Sequence, residues 1–307
     1  MNLPAKFKPT PVVAYMFVTG TALLFAASTV VQRGVHEDLP PFGATFWRWF
    51  LAALVLLPIV WRELPSKRAL ISKYWHLILL LGLLLVGCSA IFFLGLNFTT
   101  AINATLINAA QPALTVLPAW LLTRDRITPG QSIGILAALG GIVVMVSQGN
   151  LVVFLALEFN VGDILALAAI LGWTIYATSL HRLPSELGFS VTLFVIFLAG
   201  SLSVLPFYII ESAFFRPMPL SVSAAGIIAF LGIVTSLGGM AMWNAALRTV
   251  GPNRATIFLN LVPVFGVSLA IMFLGEQLFV YHLAGAGLVG LGIVMVVLRS
   301  RRRSESG

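Results

Sequence analysis

Apolar runs of about 20 residues, the length an α-helix needs to cross a hydrocarbon core of about 30 Å, recur ten times along this chain. They fall at roughly 12–32, 42–61, 74–96, 101–122, 128–148, 162–180, 189–210, 222–246, 253–273 and 279–298, and Lys, Arg, Pro, Asn and Gly collect between them. The pattern predicts an all-α polytopic membrane protein with ten transmembrane helices. The first run follows Lys6 and Lys8 as a signal peptide would, but it outlasts a typical signal core and no convincing cleavage site follows, so it reads as the first helix.

The runs also repeat one another. At an offset of 151, Ala104-Thr105 matches Ala255-Thr256, Pro112 matches Pro263, Gly141-Ile142-Val143 matches Gly292-Ile293-Val294, and Asp125 answers Glu276. At an offset of 148, Phe46 matches Phe194 and Leu57-Pro58 matches Leu205-Pro206. Two five-helix repeats are expected, residues 1–150 and residues 151–307, the second ending in a basic tail. Because five is odd, the second repeat enters the membrane in the opposite sense, the inverted-repeat plan of many transporters. Residues 149–161 read as the joint, with an apolar middle suited to the outer interface.

Charge sets the expected orientation. Of 18 Lys and Arg residues, 15 fall in segments that share a side with the N-terminus, two (Arg33 and Arg216) fall on the other side, and Arg48 lies within a run. Positive residues stay cytoplasmic, so both termini are predicted to face the cytoplasm. The net charge of +8 is spread between apolar runs and forms no single patch of the kind nucleic acid requires. With 59% hydrophobic and 9% charged residues, no soluble fold of this size is available. The lone cysteine, Cys88, excludes an internal disulfide and reads as packing.

The candidate chemistry is uncharged. No Asp, Glu or His falls near the centre of a run; Asp163, Asp125, Glu276 and Glu211 all sit at ends or in loops. That lowers the odds of coupling to protons or sodium through a buried carboxylate, and it leaves no constellation for an intramembrane protease or metalloenzyme. Neither enzyme activity, nor a cofactor, nor a metal site is expected. Thr21, Phe25, Ser28 and Gln32 share one face of the first helix, Asn108, Gln111 and Thr115 one face of the fourth, and Thr256, Asn260 and Pro263 one face of the ninth. An unpartnered buried amide costs about 2–7 kcal/mol, so these stripes face other helices or a wet cavity; interhelical hydrogen bonding is the plain alternative. Trp173 with Tyr176, and Trp243 with Asn244, offer flat surfaces for stacking, with core packing as their competitor. Trp47, Trp49, Trp61, Trp75 and Trp120 lie near run ends and read as an interfacial belt. Arg48, about six residues into its run, is shallow enough to snorkel to headgroups and equally placed to hold a solute carboxylate. Pro112 and Pro263 are the matched hinge candidates, with static kinks as the alternative.

Taken together, the basic lead, the Arg48 motif Phe46-Trp47-Arg48-Trp49-Phe50-Leu51-Ala52-Ala53-Leu54, and the Ala-Thr…Pro pattern repeated with an acidic residue and a Gly-rich helix after each resemble the EamA branch of the drug/metabolite transporter superfamily. Within that branch the chain is most similar to the bacterial aromatic amino-acid exporters, although Phe25-Ala26 stands where many relatives carry Trp-Gly. The resemblance implies a central cavity lined by helices 1, 3, 4, 6, 8 and 9 and movement of solutes across the bacterial inner membrane. The expectation is a secondary transporter that exports amino acids, aromatic or other apolar ones preferred, by rocking of the two halves, as facilitated diffusion. Phe25, Phe92, Trp173, Tyr176 and Trp243 would meet the solute's apolar part, Ser28, Asn108, Gln111 and Asn260 its polar groups, and Arg48 its charge. A proton-coupled exporter of lipophilic drugs or cations and a lipid flippase are the alternatives. Partners are expected to be the solute and membrane lipids, with a monomer favoured.

Overall fold

A computed structural model of the chain describes residues 10–114, 129–150, 160–250 and 258–304. The joint's apolar middle, Thr115, Trp120, Asp125 and Thr256 lie outside these. The described residues fold into α1 Pro11–Gly34, α2 Pro41–Val60, α3 Leu64–Lys73, α4 Trp75–Gly95, α5 Ala101–Ala109, α6 Gln111–Leu114, α7 Pro129–Val146, α8 Val161–Ser179 and α9 Phe189–Phe214. They continue with α10, made of Val222–Ala229, Phe230–Gly238 and Gly239–Val250, then α11 Leu261–Leu274 and α12 Val280–Ser304. Six of these helices are long and apolar enough to cross a membrane, and shorter apolar helices cover 132–146, 261–274 and 280–295. This is a multi-pass membrane protein. The helix α3, with no buried residue, lies outside the bundle at one end.

Local sequence explains the boundaries. The hydroxyl of Thr100 accepts from Asn103 N–H at 3.1 Å to start α5, Ser221 does the same for Ala224 at 3.1 Å to start α10, and the Asn160 carboxamide accepts from Gly162 N–H at 2.7 Å to start α8. The helix α11 ends at Gly275, whose φ of +64° is the left-handed conformation glycine adopts without penalty. Two helices contain π-helical stretches, Leu83–Gly87 in α4 and Phe230–Gly238 in α10. Such stretches shift the backbone hydrogen-bond register and recur at functional sites.

Packing follows a recurring pairing. The helix α2 lies along α9, α7 along α12, α1 against α10 and α11, and α8 against α4 and α5. The α7–α12 contact is backbone on backbone: a Cβ added at Gly141 would stand 2.5 Å from the Gly285 carbonyl oxygen, and one at Gly292 would stand 2.4 Å from that of Gly134. Small residues at such crossings let helices associate in lipid, where dispersion must do what the hydrophobic effect does in water. Cys88 is buried and abuts Gly172, so it packs as expected.

Candidate functional site

Between α1, α2, α4, α5, α6, α8, α10 and α11 lies a cavity of ≈ 610 Å³, within the range of about 300–1,000 Å³ typical of clefts that enclose a small organic solute. Its wall includes all ten residues singled out from the sequence as candidate contacts: Phe25, Ser28, Arg48, Phe92, Asn108, Gln111, Trp173, Tyr176, Trp243 and Asn260. Pro263 lines it as well. The side chain of Pro112 lies outside the described residues. Thr21 is not in the wall; its hydroxyl donates to the carbonyls of Phe17 and Gly239 and ties α1 to α10. Asn244 is also absent from the wall and donates to the Met240 carbonyl at 2.8 Å.

Both π-helical stretches bear on this cavity: Leu85 of the first lines it, and Ser236 of the second holds Arg48. The Leu85 carbonyl, inside the first stretch, accepts from the Trp173 indole at 3.2 Å and from the Ser89 hydroxyl at 2.7 Å. Trp173 is thereby held with its ring 5.2 Å from that of Phe92. In the second stretch the Ser236 hydroxyl donates to the Leu231 carbonyl at 2.9 Å, five residues back, and accepts from Arg48 Nε at 2.8 Å. Gly232 admits α2 at this point, since any Cβ there would stand 2.6 Å from the Arg48 carbonyl oxygen. The chain also breaks beside both matched prolines. The helix α5 stops at Ala110, two residues before Pro112, and a turn at 259–260 precedes α11 and Pro263. A proline lacks the donor N–H and crowds the preceding turn, so both breaks follow from sequence. Asn108, Ala109 and Gln111 at one break, and Leu259, Asn260 and Val262 at the other, all reach the cavity.

One reading that the sequence left open is decided here, and one expectation is corrected. Arg48 does not snorkel: its guanidinium turns inward to Ser236 and the cavity, 5.1 Å from the Trp49 ring centroid. Trp49 is not a belt residue: it is 4% exposed, packs edge-on against Phe197 and lines the cavity. The helical period carries the reason, since Trp47 and Trp49 point to different faces of α2, and Trp47 remains 40% exposed. Trp61 and Trp75 are exposed as belt residues should be. Thr29, Gln32, Ser89 and Met240 join the wall without having been singled out as contacts, Gln32 bonding to the carbonyl and hydroxyl of Ser28. Thr29 and Gln32 lie four residues from Phe25 and Ser28, Ser89 three from Phe92 and Met240 three from Trp243, and this helical spacing was the available signal for them.

The polar atoms of the cavity are unevenly satisfied. Arg48 makes one hydrogen bond, through Nε, and enters neither of the ion pairs found among the described residues. The Trp49 indole N–H and the Asn108 carboxamide oxygen are buried without a hydrogen-bond partner. Among the described residues no Asp or Glu lines the wall.

A second polar cluster closes the end of the bundle that carries Glu276. The Glu276 carboxylate accepts from the N–H groups of Ala101 and Ile102 at 2.8 and 2.9 Å, capping α5, and lies 3.9 Å from Arg33. Asp163 at the start of α8 accepts from the Thr99 hydroxyl and the Asn103 carboxamide, whose oxygen in turn lies 2.8 Å from His282 Nε2 on α12. Arg216 donates to the carbonyls of His36, Glu37 and Leu39, and Glu211 accepts from Gly43 N–H at 2.8 Å. Asp163 and His282 lie near helix ends, as their sequence positions indicate, yet both are buried. Among the described residues no three His, Cys, Asp or Glu side chains gather as a metal ion would need.

A multi-pass helical bundle with an apolar, solute-sized cavity at the breaks of its helices suits a small-molecule carrier. The sequence comparison names the family: the EamA-like transporter family matches residues 12–147 and again residues 160–298, and the chain belongs to it. It is 28% identical over 286 residues to the uncharacterized transporter YyaM of Bacillus subtilis, covering 91% of this chain and 92% of that one. It is 26% identical over 301 residues to the aromatic amino acid exporter YddG of Salmonella typhimurium, covering 92% and 95%. A solved crystal structure superposes with a TM-score of 0.60 over 96% of this chain and 99% of that one at 19% identity, a likeness of fold.

Proposed function

We propose that this protein is a secondary transporter that exports amino acids, aromatic or other apolar ones preferred, and related small metabolites across the bacterial inner membrane. The observation that carries the reading is the cavity itself, in which aromatic rings from four helices, Phe25, Phe92, Trp173, Tyr176 and Trp243, face the amides of Asn108, Gln111 and Asn260. Such a wall can stack an apolar ring and bond a small polar head. The similarity to an aromatic amino acid exporter agrees with it.

Alternating access by two inverted halves, residues 1–150 and 151–307, is the proposed mechanism, with ten spans and both termini in the cytoplasm. Several features support the duplication. The family matches the chain twice. Wall residues are repeat mates: Phe25 and Trp173, Ser28 and Tyr176, and Phe92 and Met240 stand 148 apart, while Asn108 and Leu259, and Gln111 and Val262, stand 151 apart. The glycine contacts Gly141–Gly285 and Gly134–Gly292 exchange under the same offset of 151. In this scheme the Glu276 end faces outward, the breaks at Pro112 and Pro263 are the hinges, and the protein works as a monomer. With no acidic residue among the described residues of the wall, solute in this scheme moves down its own gradient without proton coupling.

The test is uptake of labelled amino acids into proteoliposomes containing the purified protein, with and without an imposed pH gradient. Saturable flux that ignores the gradient is expected, and Trp173→Ala should weaken apparent affinity about tenfold, the scale of one aromatic stacking partner and its buried area. Flux that requires the pH gradient, or a Trp173→Ala variant that transports unchanged, would overturn the coupling scheme or the stacking role respectively.

A further inference from the structure

We infer that among the amino acids and related metabolites this cavity admits, it binds monoanions most tightly: a carboxylate with an aromatic or apolar body and a neutral hydrogen-bond donor in place of the free ammonium group. The inference rests on the reading of this cavity as the solute site and names the charge of what enters it. The charge balance of the wall is the starting point. Among the described residues of the wall, Arg48 is the one ionised side chain and no carboxylate accompanies it. Its Nε–H is satisfied by Ser236, which leaves the four N–H donors of the two terminal nitrogens with no acceptor among the described residues. A guanidinium presents these donors in a planar fork that matches the two oxygens of a carboxylate.

Two further residues of the wall carry orphan atoms. Trp49 is nine-tenths buried or more, lines the cavity, sits next in sequence to Arg48 and has its indole N–H unpartnered. On α5, the Asn108 carboxamide oxygen is the matching orphan acceptor. A buried polar atom without a partner is destabilising in a finished structure and calls for an explanation; the Arg48 fork meets a carboxylate directly, while the Trp49 and Asn108 atoms, shut off from the cavity surface in this conformation, meet a solute once their side chains turn toward it.

A zwitterionic amino acid fits this set less well. Its ammonium carries three donors and a full charge, and no anionic side chain among the described wall residues compensates the loss of its water shell. Arg48 repels that ammonium while attracting the neighbouring carboxylate, so the two effects partly cancel. A 2-hydroxy acid or an N-acyl amino acid keeps the carboxylate for Arg48 and offers a single O–H or N–H to Asn108. The amine without a carboxylate has only repulsion to meet.

The experiment measures saturable flux of labelled 3-phenyllactate into proteoliposomes of the full-length protein, competed by N-acetylphenylalanine, phenylalanine, phenethylamine and methyl 3-phenyllactate. The expected order places N-acetylphenylalanine at least tenfold ahead of phenylalanine, with the amine and the uncharged ester inert. Arg48→Gln should abolish the preference and Arg48→Lys should restore part of it; the competition order on the unaltered chain decides the matter even if neither variant folds. Phenylalanine transported and competing as well as the anions, or better, would overturn the monoanion preference and leave the amino-acid reading standing. No flux of phenyllactate and none of phenylalanine would overturn both.

Discussion

The two polar regions of this protein are built on opposite terms. At the Glu276 end, the named acidic and basic groups are tied to the chain: Glu276 caps α5, Asp163 holds Thr99 and Asn103, and Arg216 spends its donors on three carbonyls. In the cavity, Arg48 makes a single bond, and Trp49 and Asn108 keep orphan atoms. A membrane interior magnifies the difference, because there is no bulk water to satisfy what the protein leaves open. A satisfied cluster holds helices together, whereas an unsatisfied one is stabilised by what binds there. The lesson is that polar residues in a bundle of this kind are best sorted by whether their atoms are paired.

Breaking the satisfied cluster should give the largest effect. Asp163→Leu removes the acceptor shared by Thr99 and Asn103 and strands the bond to His282, so a loss on the order of 3–5 kcal/mol is expected, the scale for breaking a buried charged network. Thermal unfolding in detergent should show it as a marked drop in Tm or loss of the folded protein. The same operation in the cavity should do the reverse. Arg48→Met removes a charge with no ionic partner, so Tm should stay level or rise while transport falls at least tenfold; a large fall in Tm would mean that Arg48 is structural and would erase the contrast.

Smaller changes sharpen it. Glu276→Gln keeps the shape at the α5 N-terminus but removes the negative charge from the helix dipole, worth about 1 kcal/mol. The expected outcome is a fivefold or smaller rise in labelling of a cysteine placed at Thr100, as that end loosens. Asn108→Leu, which deletes an orphan acceptor and its amide donors, should change stability by less than about 1 kcal/mol while lowering solute affinity in the proteoliposome assay. Were it to destabilise as strongly as Asp163→Leu, the cavity amides would be interhelical bonds rather than solute contacts.

Much of the fold was legible in the chain, for a physical reason. Each spanning helix must satisfy its own backbone and present about 20 apolar residues to lipid, so the runs are long and the breaks between them conspicuous. The candidate wall residues were legible because uncharged polar and aromatic side chains in helical register stand out against that background. Trp49 was misread because distance from a span end says nothing about which face of α2 a residue occupies. Arg48 was left open between headgroup and cavity because both choices use the same long, flexible side chain. The Asp163–Asn103–His282 network was illegible, since its members come from the starts of three helices that are distant in sequence.

The sequence by itself determined the membrane class, the apolar runs, the internal repeat and the breaks at the matched prolines, all consequences of local periodicity and of backbone chemistry in a solvent that offers no hydrogen bonds. Only the tertiary structure decided which polar atoms find partners. Pairing depends on the rotation of each helix about its axis and on π-helical register shifts at Leu83–Gly87 and Phe230–Gly238. Those are set by contacts such as Gly232 against the Arg48 carbonyl, where two helices 184 residues apart in sequence meet backbone to backbone.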